Sequence, residues 1–189
     1  DPTSVNWLRL QNLLERHDEF LVYGFTWMLW LAWGAQSLPR EIQGLLVGKR
    51  IHFVHSGGWK KLEAMQVGRD QFNAALLRNL AEGSRVLDFY GLVEQAGIVY
   101  PLCESGCRHV PRWAEVIVRD PFTMRPLLDG ETGLLQLINI LASGAPSHSV
   151  LTEDLGRLFR GPCPCGSSGR RFDLVGRVPK AEVRGCANV

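Results

Sequence analysis

Phe89-Tyr90-Gly91-Leu92-Val93-Glu94-Gln95 is the most informative heptapeptide of this 189-residue chain. It follows Arg85-Val86-Leu87-Asp88, a short apolar run that is typical of a β-strand. At a strand end, an aromatic ring can stack on a base, a glycine allows close backbone approach, and a carboxylate can bind a hard metal ion. The heptapeptide therefore indicates a nucleotide site, with an ordinary strand and loop as the alternative.

The composition indicates a globular protein, because 46% of the residues are hydrophobic and 21% are charged. The net charge of +2 comes from interspersed basic and acidic residues, which argues against a nucleic-acid partner. The chain has five cysteines and no export signal. We therefore expect a cytoplasmic protein with reduced thiols, a metal site or a reactive cysteine rather than a disulfide framework.

Residues 20–39 are the one candidate for a membrane segment, since they contain no charged residue and three tryptophans. The densely apolar part, residues 20–35, is shorter than the roughly 20 residues that a spanning helix needs. We predict no membrane span here but a buried helix. Its tryptophans are expected to pack in the core, with the wall of an apolar ligand pocket as the alternative.

Upstream of the heptapeptide, the pattern alternates between strand and helix. Residues 49–55 alternate in polarity as in a strand, residues 60–80 have helical periodicity, and residues 85–88 form the next strand. This order predicts an α/β layer with parallel strands. Ser56-Gly57-Gly58 follows the first strand and forms a turn on which a ligand can lie directly against the backbone.

Downstream of the heptapeptide, the pattern changes to short strands separated by turns. Strands are predicted at residues 113–119, 134–141 and 172–175, and their spacing favours a small antiparallel sheet or distorted barrel. We therefore expect an α/β portion over residues 1–100 and an antiparallel β portion over residues 101–189.

Four of the five cysteines form two short-spaced pairs. Cys103 and Cys107 lie just before His109, and Cys163 and Cys165 lie in a Gly/Pro turn. Two such pairs on separate turns can build a closed tetrahedral Zn²⁺ site. Three cysteines plus His109 are one ligand set, and this set leaves Cys107 over. In the alternative set, His109 is the residue left over. A zinc ion here would be structural, and free thiols on loops are the alternative.

Five short motifs follow one another along residues 56–177. They are Ser56-Gly57-Gly58, Tyr90-Gly91-Leu92-Val93-Glu94, Gly130-Glu131-Thr132-Gly133, Thr152-Glu153-Asp154-Leu155-Gly156 and Gly176-Arg177. Each motif is common alone, but the series resembles the adenylate-forming superfamily of acyl-CoA and acyl-protein synthetases. The resemblance implies that the chain is the second half of a large adenylating domain.

Two further stretches narrow the resemblance to a branch. Cys163-Pro164-Cys165-Gly166 resembles the phenylacetate-CoA ligase branch, and residues 176–186 are most similar to the acyl-protein synthetases of bacterial bioluminescence operons. Those synthetases activate a fatty acid as its adenylate. The acyl group then moves to a cysteine near the C-terminus of the chain.

The resemblance implies a role for each motif residue at an ATP site. Ser56-Gly57-Gly58 would border the adenine, Tyr90 beside Gly91 would stack on it, and Glu94 would help to hold Mg²⁺. Asp154 would accept hydrogen bonds from the ribose hydroxyls, with Arg177 as a fixed donor beside it.

The chain also departs from the family pattern. Val93 stands where the family usually has threonine, so one hydroxyl contact to the phosphate is missing. The glycine-, serine- and threonine-rich phosphate loop is not found in these residues. Lys180 does not match the adenylation lysine, whose small domain would begin where this chain ends.

The implied reaction is ATP-dependent activation of a fatty or aryl carboxylic acid as an acyl-adenylate. The acyl group would then pass to a thiol of coenzyme A or of a protein. The resemblance implies that Cys186 is this acceptor, with a small buried thiol as the alternative. For the whole chain, the alternative function is a zinc-stabilised interaction module without catalysis.

Overall fold

The computed structural model describes residues 4–142 and 146–178. The chain divides into two units, Asp1–Asp88 and Phe89–Val189. The division comes slightly earlier in the chain than the boundary near residue 100 that was expected from the sequence.

The first unit alternates helices and strands. Its elements are α1 (Trp7–Arg16), β1 (Glu19–Phe25), α2 (Thr26–Leu29), a π-helical turn (Trp30–Gly34), α3 (Arg40–Leu46), β2 (Arg50–Ser56), a 3-10 helix (Lys60–Met65), α4 (Arg69–Leu77) and β3 (Arg85–Tyr90). The last two residues of β3 belong to the second unit.

The strands of the first unit form a sheet in which β1 and β2 are parallel, with Glu19 opposite Arg50 and Phe25 opposite Ser56. Strand β3 lies next to β2 in the order β1-β2-β3-β4. Phe53 of β2 is fully buried in a core that the surrounding helices complete. The predicted α/β layer with parallel strands is therefore confirmed.

The prediction of one buried helix over residues 20–35 is wrong in its first part, which forms β1. Leu21 and Tyr23 are 68% and 65% exposed, whereas Phe20 and Val22 pack against the core. This alternation has the period of a strand, but the run hides it because both sets of residues are apolar. Among the described residues, no helix is long and apolar enough to cross a membrane.

The tryptophans that follow β1 pack as expected for core residues. Trp30 and Trp33 in the π-helical turn are buried, at 8% and 6% exposure. Trp30 stacks on Phe72 of α4, and Trp33 meets Phe53 edge to face. These contacts favour the core interpretation over the wall of a ligand pocket.

The second unit is mostly antiparallel sheet. Its strands are β4 (Tyr100–Pro101), β5 (Arg108–His109), β6 (Ala114–Arg119), β7 (Thr132–Asn139), β8 (Ser149–Phe159) and β9 (Arg171–Arg177). Strand β4 pairs with the end of β3, and the other five form one sheet in the order β5-β9-β8-β7-β6. The predicted antiparallel sheet is therefore confirmed within this unit.

Two motif glycines allow the middle of this sheet to form. Gly133 of β7 and Gly156 of β8 are opposite each other in register. A Cβ atom on Gly156 would lie 2.5 Å from the Asp173 carbonyl oxygen, and one on Gly133 would collide with the Arg119 carbonyl. Only glycine fits at either position without moving the neighbouring backbone.

Candidate functional site

Tyr90 at the end of β3 is hydrogen-bonded to Asp154 in the middle of β8. The phenolic hydroxyl donates to Oδ2 of the carboxylate at 2.7 Å. Burial raises the pKa of Tyr90 above its usual range, and the neighbouring Asp154 carboxylate raises it further. The tyrosine therefore keeps its proton and remains a donor to Asp154.

The second oxygen of Asp154 pairs with Arg177, its register partner in β9. Arg177 Nε lies 3.2 Å from Oδ1 of Asp154, and Nη2 lies 3.0 Å from Oε2 of Glu153. The backbone amide of Asp154 also donates to Oγ1 of Thr152 at 3.1 Å. The carboxylate is held on both sides, with its side chain 18% exposed.

The ring of Tyr90 belongs to an aromatic cluster with Tyr100 and Phe172. Phe172 of β9 is fully buried, and its ring meets Tyr100 edge to face at 5.2 Å and Tyr90 at 6.1 Å. Three residues that the sequence analysis assigned to one nucleotide site, Tyr90, Asp154 and Arg177, thus lie together. Their contacts with adenosine stay a prediction.

The turn after Tyr90 is fixed by a residue that the sequence analysis missed. Gln95 is 2% exposed, and its Nε2 donates to the carbonyl oxygens of Leu137 at 3.0 Å and Ser147 at 3.2 Å. It ends the 3-10 turn Val93–Gln95. Glu94 in the same turn is exposed, so its carboxylate can accept a hard cation such as Mg²⁺.

Gly91 has little room for a side chain. A Cβ atom there would lie 3.2 Å from the carbonyl oxygen of Ile98. The glycine of the motif therefore permits the chain to pass close to the segment that leads into β4.

The Ser56-Gly57-Gly58 turn lies in the first unit, where a threonine holds it. The hydroxyl of Thr26 lies 2.6 Å from the Gly57 carbonyl oxygen and 2.9 Å from Nδ1 of His55. Because the hydroxyl has one proton and donates it to Gly57, Nδ1 of His55 is assigned as the donor to Thr26. Thr26 and His55 are both buried, and the sequence analysis assigned neither to a site.

Four of the five predicted metal ligands form one cluster. The donor atoms of Cys103, His109, Cys163 and Cys165 all lie within 4.8 Å of one another. Cys103 Sγ is 3.8 Å from Cys163 Sγ, and Cys165 Sγ is 3.3 Å from His109 Nε2. A tetrahedral Zn²⁺ with Zn–S bonds of about 2.3 Å separates two sulfurs by about 3.8 Å, so this donor set fits the ion.

Cys107 stands outside that cluster. Its Sγ lies 3.9 Å from the Ser105 carbonyl oxygen. Of the two ligands between which the sequence analysis could not choose, the geometry thus groups His109 with the other three. Cys186 and Lys180 lie outside the described residues.

Known proteins resemble this chain over most of its length. The model of the family described as acyl-protein synthetase, LuxE, matches residues 5–189. The long-chain-fatty-acid–luciferin-component ligase of Aliivibrio fischeri is 30% identical over 144 residues, which are 74% of this chain and 37% of that protein. The corresponding ligase of Vibrio harveyi is 29% identical over 144 residues, 74% of this chain and 36% of that protein. The chain thus spans little more than a third of these relatives.

Solved structures share the fold at lower identity. A 2-hydroxyisobutyryl-CoA ligase in an open conformation with 2-HIB-AMP and CoA matches with a TM-score of 0.62 and 19% identity, over 91% of this chain and 36% of that chain. Apo MatB from Rhodopseudomonas palustris matches with a TM-score of 0.57 and 16% identity, over 94% and 33%.

These neighbours are adenylate-forming ligases, so the fold predicted from the motif series is confirmed. The family match covers nearly the whole chain. The chain therefore belongs to the LuxE acyl-protein synthetase family.

Proposed function

We propose that this chain carries the adenosine-binding part of an enzyme that activates a carboxylic acid as its acyl-adenylate with ATP. The observation that supports it is the joint position of Tyr90, Asp154 and Arg177, three motif residues from three strands. A fatty acid is the proposed substrate, because the curated relatives are named long-chain-fatty-acid ligases.

In this proposal, Asp154 binds the ribose. A carboxylate has about four acceptor positions. The Tyr90 hydroxyl and the Arg177 guanidinium each take one, so acceptor capacity remains for the ribose hydroxyls. Because Tyr90 and Arg177 hold the carboxylate in one orientation, ribose binding loses little side-chain entropy. The ring of Tyr90, which is anchored by its hydrogen bond to Asp154, would stack on the adenine.

The chemical step needs positioning more than covalent participation by the protein. An oxygen of the acid attacks the α-phosphorus of ATP, a new P–O bond forms, and the bond to the bridging oxygen breaks as pyrophosphate leaves. Glu94 is exposed at the turn after Tyr90 and would help to hold Mg²⁺, which neutralises phosphate charge.

The acyl group of the adenylate would then pass to a thiol. A thiolate attacks the acyl carbon, a thioester forms, and AMP leaves with the bonding electrons. Cys186 is the proposed acceptor on the strength of the family resemblance, and the thiol of coenzyme A is the rival acceptor. A Cys186→Ala protein that still formed a hydroxylamine-labile acyl-enzyme would exclude the first.

A structural Zn²⁺ is the other cofactor that we propose. Cys103, His109, Cys163 and Cys165 would hold it as a closed four-ligand site, because a structural zinc centre takes all four ligands from the protein and leaves no position open for water. A non-catalytic, zinc-stabilised interaction module would also need all four ligands from one chain. Such a module is the second candidate function.

Calorimetric titration separates the two candidates. The wild-type chain would be titrated with ATP and with a stable acyl-adenylate analogue, alongside Asp154→Ala. Glu153→Gln is the matched control, because Glu153 is exposed on the same strand and also pairs with Arg177. We expect Asp154→Ala to abolish binding and Glu153→Gln to retain it.

The proposal fails if the folded wild-type chain binds neither ATP nor the acyl-adenylate analogue, even after the preceding part of a full-length family member has been added. Bound zinc without any nucleotide affinity would favour the interaction module.

A further inference from the structure

The first cysteine turn closes with two backbone hydrogen bonds. The amide of Cys103 donates to the Cys107 carbonyl at 2.9 Å, and the amide of Gly106 donates to the Cys103 carbonyl at 3.0 Å. Gly106 has a φ of +78°, and Leu102 and Arg108 form a bridge across the base of the turn.

The second cysteine turn repeats this structure. The amide of Cys163 donates to the Ser167 carbonyl at 2.8 Å, and the amide of Gly166 donates to the Cys163 carbonyl at 2.9 Å. Gly166 has a φ of +86°, and Pro162 bridges Ser168. The two turns, residues 102–108 and 162–168, are therefore two copies of one knuckle.

The equivalence accounts for two of the four ligands, Cys103 and Cys163. Each knuckle presents its first cysteine, Cys103 or Cys163, in the same way. The closing position holds Cys107 in one copy and Ser167 in the other. Its backbone carbonyl accepts the hydrogen bond from the first cysteine's amide. The second donors come from different places: Cys165 lies inside its knuckle, and His109 lies after its own in β5.

The metal-donor cluster lies at the β5 edge of the sheet, where the strand pairing is short. Strand β5 pairs with β9 through two residue pairs, Arg108 with Phe172 and His109 with Arg171, and one further backbone hydrogen bond joins Val110 to Arg170. Such short pairing is marginal by itself. A metal bound to His109 and to the knuckle that leads into β9 would join these two strands directly.

Strand β9 connects this edge to the Asp154 site. Near its start, Phe172 packs against Tyr90, whose hydroxyl donates to Asp154. At its end, Arg177 pairs with the same carboxylate. We propose that a metal ion bound by the two knuckles fixes β9 and thereby maintains the Tyr90–Asp154–Arg177 arrangement. Its effect on nucleotide affinity rests on the proposed function.

The first test is metal content. Chain purified with Zn²⁺ would be analysed by atomic emission, and Co²⁺-loaded chain by absorption, where tetrahedral thiolate ligation gives d–d and charge-transfer bands. We expect about one ion per chain in wild type and in Cys107→Ser, and a clear loss in Cys163→Ser. Cys165→His keeps a donor at its position and should retain the metal even if Cys163→Ser does not fold.

The second test is hydrogen exchange of the wild-type chain with Zn²⁺ and after chelation. We expect faster exchange without metal over residues 171–177 and 152–155, and no change over residues 114–119 in β6. Re-adding Zn²⁺ should restore protection. The acyl-adenylate analogue should bind about tenfold more weakly to the chelated chain, as for loss of one hydrogen bond to a charged group.

Three results would overturn the inference: a chain that binds no metal, a Cys107→Ser chain that loses metal as Cys163→Ser does, or unchanged exchange over residues 171–177 after chelation. Metal-dependent exchange in a chain that never binds nucleotide would support the metal link and overturn the proposed function.

Discussion

The hydroxyl of Tyr90 donates a 2.7 Å hydrogen bond to the carboxylate of Asp154, although the two residues are 64 positions apart. Each residue lies in a different sequence motif, one at the end of β3 and the other within β8. The bond joins the two motifs physically. It also fixes the ring and the carboxylate relative to each other before any ligand arrives.

Removing this bond should destabilise the protein. We expect Tyr90→Phe to lower the free energy of unfolding by about 1.5–3 kcal/mol, because the bond has a charged acceptor. Tyr100→Phe is the matched control, since the buried hydroxyl of Tyr100 has no hydrogen-bond partner among the described residues. Its loss should be neutral or slightly stabilising in urea denaturation. Equal losses in both variants would contradict the assignment.

High pH should lower the stability of the protein through the buried hydroxyls of Tyr90 and Tyr100. Burial raises the pKa of Tyr100 to about 12, and burial together with Asp154 raises that of Tyr90 further. A raised folded pKa gives stability that is intact below the unfolded value of about 10 and is lost as the pH rises through the folded value.

We therefore expect the free energy of unfolding to fall above about pH 10, by up to about 1.4 kcal/mol per pH unit for each tyrosine. Urea denaturation across this range measures it. Tyr90→Phe should roughly halve the slope, and an unchanged slope would show that Tyr90 titrates normally.

The buried hydroxyl of Thr26 should hold the glycine turn of the first unit. Thr26→Val keeps the shape but removes the hydrogen bonds to His55 and Gly57, which we expect to cost about 1–3 kcal/mol. Thr26→Ser keeps the hydroxyl and should cost less. Thermal denaturation of the pair tests this, and an equally large loss in Thr26→Ser would assign the effect to the methyl group instead.

The glycine of β8 should tolerate no side chain. Gly156→Ala would bring a Cβ within 2.5 Å of the Asp173 carbonyl and 2.7 Å of Leu135, so we expect a loss of about 1–3 kcal/mol or more. Gly44→Ala is the control, because it meets nothing within 4 Å and lies in α3. It should stabilise by about 0.5–1 kcal/mol. A Gly156→Ala protein as stable as wild type would mean that β8 and β9 can move apart enough to fit the methyl group at no cost in the free energy of unfolding.

Local patterns in the chain were sufficient for much of the fold. The alternation around β2, the helical periodicity before β3 and the turn residues after Tyr90 predicted an α/β layer followed by an antiparallel sheet. They succeed because burial on one face imposes a period on the sequence. Where both faces are apolar, as in β1, the period disappears, and the sequence predicts a helix where a strand forms.

The motif series also predicted the superfamily and the site residues Tyr90, Asp154 and Arg177. The cysteine pairs predicted the metal donors. Both succeed because each pattern is a short local turn or strand end. Only the tertiary structure decided which of these residues meet. The register of β8 with β9 places Arg177 on Asp154, and the pairing of β5 with β9 brings His109 rather than Cys107 to the other thiols. Register and strand order depend on contacts between residues far apart in the chain, and local sequence patterns do not encode such contacts.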